Sequence, residues 1–105
     1  MESTGTEERQ VKKFVFLTYG FKPPTPEVMA AWNKWFDQIR PSVVEMAGLR
    51  NGREISKAGT TALPLGLESI TGFVIVTAES LEDAERMAQD NPYVSAVRVY
   101  ELAPG

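Results

Sequence analysis

The sequence predicts an α+β fold, a four-stranded antiparallel sheet in the order β-α-β-β-α-β with both helices on one face. Three observations predict it. Residues 71–78, Thr-Gly-Phe-Val-Ile-Val-Thr-Ala, place Phe73 and Ile75 on one side of a strand and Val74 and Val76 on the other, so both faces of that strand are apolar. Residues 14–19, Phe-Val-Phe-Leu-Thr-Tyr, repeat that two-faced character. Two stretches with helix-start chemistry, Thr25-Pro26-Glu27 and Ser80-Leu81-Glu82-Asp83, each follow one of these runs.

Taken in order, residues 1–10 hold Ser, Thr, Gly and charges with little apolar content, and are expected to form a disordered tail. The first strand follows and ends at Gly20. Lys22-Pro23-Pro24 stiffens the connection to a first helix, capped by Thr25 with Pro26 as its first residue. Met29, Trp32, Phe36, Ile39, Val43 and Met46 recur at spacings of three and four, which predicts a helix running to about Ala47 with these residues on its core face. Trp35 falls beside that stripe. Pro41 removes the bond to the carbonyl of Asp37, so a kink or break is expected there, and Gly48 is the expected left-handed terminator.

After the turn signal Asn51-Gly52, residues 50–57 carry only Ile55 as a large apolar side chain, which predicts a short polar edge strand. Residues 58–69, with two glycines and a proline, read as a loop or an extended hairpin connection. The central strand comes next. A second helix, capped by Ser80, should turn Leu81, Ala84, Met87 and Ala88 inward and end at Asn91-Pro92. Residues 94–102 alternate Val97, Val99 and Glu101 against Ala96, Arg98, Tyr100 and Leu102, a last strand with one apolar and one mixed face.

This order is that of a ferredoxin-like fold over residues 11–105, read as a single domain, with the two apolar strands central and the two charged ones at the edges. Helices on one face would leave the other face of the central strands open. A homodimer packed sheet to sheet, a dimeric α/β barrel, would cover it.

Composition narrows the chemistry. The 105 residues contain no cysteine and no histidine, which removes disulfides, thiolate nucleophiles and imidazole bases or ligands. A net charge of −3 argues against a polyanionic partner, so no nucleic acid is expected. No apolar run approaches the roughly 20 residues that span a bilayer, and residues 1–10 lack a signal-peptide core; the expectation is a cytoplasmic protein without membrane contact. The acids Glu82, Asp83 and Glu85 occupy the first turn of a helix, where capping and dipole effects favour them, so neither a metal nor another cofactor is expected.

Three segments resemble the YCII-related family and its DGPF-domain relatives. Residues 32–59, with Gly48-Leu49-Arg50-Asn51-Gly52, are similar to the DGPF-domain helix and its "G-L-x-x-G" segment. Glu68-Ser69-Ile70-Thr71-Gly72-Phe73 resembles "E-x-x-G-G-F", with Thr71 at a glycine position. Asp90-Asn91-Pro92-Tyr93-Val94 resembles "D-P-Y/F". The resemblance implies the dimeric barrel named above. It carries over no activity: the D-G-P-F tetrapeptide is missing, and of the histidine and aspartate suggested as a catalytic pair in YCII-like members the histidine is absent and the aspartate displaced, Asn91 standing directly before Pro92 and Asp90 one residue out of register.

The residues left for a ligand cleft are polar groups among apolar strands or at strand ends: Tyr19, Glu68, Arg98, Tyr100 and Asn91. A tyrosine hydroxyl and a guanidinium could orient an enolate, phenolate or carboxylate, and a partly buried Glu68 could accept a proton. The bland alternatives stay open: interface tyrosines, an Arg98–Glu101 ion pair, and an amide at a helix end. No reaction is named by the sequence. A small-molecule site, binding alone or supporting cofactor-independent chemistry, is the first reading; a regulatory or assembly domain is the second. An RNA-binding module of the same strand order is the third, disfavoured by Thr71 where a basic residue is expected and by the missing aromatics near Ile75.

Overall fold

A computed structural model describes residues 11–104. The expected tail at 1–10 lies outside the described residues. Six strands and two helices follow in the order β1 (Lys12–Tyr19), α1 (Pro26–Ile39), β2 (Val43–Gly48), β3 (Arg53–Ser56), β4 (Gly59–Ala62), β5 (Ile70–Ala78), α2 (Leu81–Gln89) and β6 (Ala96–Glu101). Four of the strands form an antiparallel sheet in the spatial order β2-β5-β1-β6, while β3 and β4 pair only with each other. Removing that hairpin leaves the ferredoxin-like order, with the two doubly apolar strands central.

The register explains the core. Phe14 lies opposite Val76, Phe16 opposite Val74 and Val99, and Thr18 opposite Gly72 and Val97, so these side chains share the face covered by both helices. Phe14, Phe16 and Val76 are fully buried there together with Trp35, Ile39, Ala84 and Ala88 from the helices. Each large side chain removed from water in this way contributes about 1.5–3 kcal/mol. Trp35 Nε1 donates to the carbonyl of Met87 at 2.8 Å, which ties α1 to α2 and satisfies the indole inside the core. Caps form where the sequence places them: Val28 N donates to Thr25 Oγ1 at 3.2 Å and Asp83 N to Ser80 Oγ at 3.1 Å.

The first helix is shorter than its periodicity predicts. Pro41 breaks it: α1 ends at Ile39, a single 3₁₀ turn spans Arg40–Ser42, and Val43–Gly48 becomes the edge strand β2, bonded to β5. Pro41 lacks the N–H that would bond the carbonyl of Asp37 in a continuing α-helix, so the chain tightens into the 3₁₀ turn with Arg40 still in helical backbone, and Val43 and Val44 suit a strand. Gly48 therefore ends a strand and is not a left-handed helix terminator; among the described residues the glycines with positive φ are Gly20 and Gly59. The strand expected over 50–57 exists as β3, but its partner is β4 and not the sheet, because β2 already occupies the edge. On α1 the buried line runs through Trp35 and Ile39, with Trp32 and Phe36 half-buried beside it and Met29 57% exposed. On α2, Ala84 and Ala88 are buried as expected, but Leu81 is 46% exposed.

Candidate functional site

The opposite face of the sheet carries Val15, Leu17, Tyr19, Phe73, Ile75, Arg98 and Tyr100, the residues that alternate with the core set. Neither helix covers it, and the molecule is only 18 Å through its thinnest axis, the depth of one helix layer on one sheet. Three of the five sequence candidates meet here. The Arg98 guanidinium sits 4.6 Å from the centroid of the Tyr19 ring, and Tyr100, 52% exposed, lies opposite Val15. Glu101 pairs with Lys12 at 3.9 Å and not with Arg98.

Glu68 stands apart from them. Its loop is fastened to the same end of the sheet, since Gly20 N donates to Ser69 O at 2.8 Å and Ser95 Oγ donates to Leu67 O at 2.6 Å, but the Glu68 side chain is exposed. Asn91 is buried just past α2, 4% exposed, and neither Nδ2 nor Oδ1 has a hydrogen-bond partner among the described residues.

None of the five lines either of two cavities formed by the described residues. One, of about 510 Å³, is an open groove between α2 and β6. The other, of about 320 Å³, lies on the helix-covered face between α1 and the ends of β1, β2 and β5. Its origin can be read across the sheet. On that face the row Phe16–Val74–Met46 is followed by Thr18–Gly72–Gly48, so two of the three positions in the second row have no side chain. A Cβ added at Gly48 would approach nothing closer than Thr71 O at 3.9 Å, so α1 stands well clear of the sheet there.

Aromatic and aliphatic groups wall this space: Trp32 and Phe36 from α1, Phe21 from the connection, Met46 and Val74 from the sheet. Trp32 is held edge-on to Trp35 with centroids 5.8 Å apart, and tilted against Phe36 at 5.5 Å. Polar groups are few. Thr18, 5% exposed, lines the floor and exposed Lys22 the rim. The hydroxyl of Thr71 is turned to the backbone, donating to the carbonyls of Thr18 and Gly20 at 3.3 and 3.4 Å. An apolar cleft with one hydroxyl at its base and one ammonium at its edge can hold a flat organic molecule and orient its oxygens. Groups of three or more acids with metal-binding spacing do not occur among the described residues.

Sequence reasoning passed over Thr18, Gly48, Gly72 and Lys22. Gly72 inside a strand was the available signal, since a glycine there marks a place where packing is withheld.

No protein-family model matches the chain, and no curated protein matches it. Among solved structures it is similar to a 5-chloro-2-hydroxyhydroquinone dehydrochlorinase from Burkholderia phenoliruptrix AC1100 in complex with 2,5-dihydroxybenzoquinone. That likeness has a TM-score of 0.54 and 16% identity, and covers 89% of this chain and 95% of the other. Identity this low establishes a shared fold and leaves the chemistry open.

Proposed function

We propose that this chain binds a small, flat organic molecule of aromatic or quinoid type in the cavity under α1, as one half of a homodimer. The Thr18–Gly72–Gly48 row carries the reading, because it empties the space below Trp32 and leaves one hydroxyl at its base. Support comes from the fold shared with a dehydrochlorinase whose complex holds a dihydroxybenzoquinone, and from the motifs resembling the YCII-related family. Thr18 donates to or accepts from a ring oxygen, Lys22 balances negative charge on an ionised one, and Trp32 stacks on or borders the ring. These roles are binding and orientation. Turnover would need an acid or base supplied by the ligand itself or by a second copy.

The open face supports the homodimer. Val15, Leu17, Phe73 and Ile75 form an apolar band without a covering layer, and sheet-to-sheet packing buries it. A two-fold axis along the strands would set Glu45 of β2 over the partner's β6, where Arg98 lies. In that arrangement Tyr19, Arg98 and Tyr100 belong to the interface.

Calorimetric titration with 2,5-dihydroxybenzoquinone tests the cavity. Saturable binding at one site per chain is expected for the wild type. Thr18→Val, which removes the hydroxyl at equal volume, should weaken it by about two- to tenfold, and Gly48→Leu, which fills the space, should abolish it while the near-ultraviolet circular dichroism is retained. Binding that survives Gly48→Leu places the ligand elsewhere.

A further inference from the structure

The hairpin of β3 and β4 stands away from the rest of the molecule. Every residue from Arg53 to Ala62 is exposed, Ile55 to 80%, and no other strand or helix packs on the pair to any comparable extent. A two-stranded hairpin without a covering layer is marginal in water. Among the described residues this one is anchored only at its base, where Leu63 N donates to Gly52 O at 3.0 Å and Asn51 takes a left-handed turn with φ 59°. Its apolar surface continues into the loop behind it, where Leu63, Leu65 and Leu67 are 49%, 60% and 58% exposed.

We infer that the hairpin is an arm that closes over a second copy of the chain, an inference that rests on the homodimer proposed above. Area is the first argument. Four strands spaced ~4.8 Å apart, with six to nine residues at ~3.3 Å each, give the open face a projected area of roughly 450 Å². A stable interface buries about 800 Å² on each partner. Ile55 on the arm and Leu63, Leu65 and Leu67 at its base add exposed apolar surface beside that face. Position is the second: the arm leaves β2, the edge of the open face, within five residues of the last sheet pairing at Gly48. Charge is the third. Arg53, Glu54 and Lys57 put both signs on the arm, which lets it meet its own copy with opposite charges facing.

Sedimentation velocity across a concentration series, on the full chain, tests the arm with Ile55→Asp and, beside it, Ile75→Lys on the open face. Because Ile55 touches little in its own chain, its substitution cannot act by unfolding the protomer. The arm predicts a dimer dissociation constant raised at least tenfold by Ile55→Asp, the order expected for one buried isoleucine. Hydrogen exchange should also show the 53–62 amides protected in the dimer and unprotected on dilution. A wild-type dimer lost with Ile75→Lys but untouched by Ile55→Asp overturns the arm and leaves the dimer standing. A wild type that is monomeric at every concentration overturns both.

Discussion

At Gly20 the backbone turns to φ 104°, and a Cβ placed there would come within 2.5 Å of Ser95 Oγ and 2.8 Å of Ser95 N. The close approach lets Ser95 N donate to Tyr19 O and Gly20 N to Ser69 O, which gathers the ends of β1 and β6 and the 64–69 loop beside the cavity. Gly20→Ala should therefore cost about 1–3 kcal/mol from backbone strain, with more from the clash. The midpoint of urea unfolding measures it, and an unchanged midpoint contradicts the geometry. Gly20 was legible as a strand terminator, since a glycine after six β-formers marks an end. Which strand would press against it was not, because Ser95 lies 75 residues later in the chain. Asn91 shows the same limit: the sequence exposes an amide at a helix end but not that packing buries it.

Among the elements, α2 depends most on its ends. Nine residues make too short a helix to persist by propensity, so the Ser80 cap and burial of Ala84 and Ala88 hold it in place. Ser80→Ala should lower stability by about 1 kcal/mol, read as a fall in melting temperature without change in the folded circular dichroism. The end of α1 shows how periodicity can mislead. Ile39, Val43 and Met46 continue a three-four spacing, and the same residues also fit a turn followed by a strand. Pro41 decided the matter locally. Bonding of Val43–Gly48 to β5 then decided which alternative was filled, and that pairing spans about thirty residues.

Over the whole molecule the two faces of one sheet have opposite fates, and β5 displays both. Val76 is fully buried under the helices, while Ile75 looks out from the open side. Val76→Lys should abolish folding, because an unpaired ammonium would enter the core. Ile75→Lys should leave the protomer folded and shift the proposed dimer to monomer. Circular dichroism with native mass spectrometry separates the two results, and a dimer that persists with Ile75→Lys rules out sheet-to-sheet packing. Among the described residues no helix is long and apolar enough to cross a membrane, so a bilayer-spanning helix there does not account for the open face.

Residues adjacent in the chain specify the two central strands, both helix starts and a kink or break at Pro41, through alternation, caps and a missing N–H. The sequence by itself also determined that one sheet face would be apolar and uncovered. Tertiary structure alone decided that 43–48 would be the sheet's edge, that 53–62 would stand out as a separate hairpin, and that the cavity would lie under α1. Those outcomes turn on register. Thr18, Gly72 and Gly48 become a row only when three strands align, and nothing within any one strand records that they are neighbours.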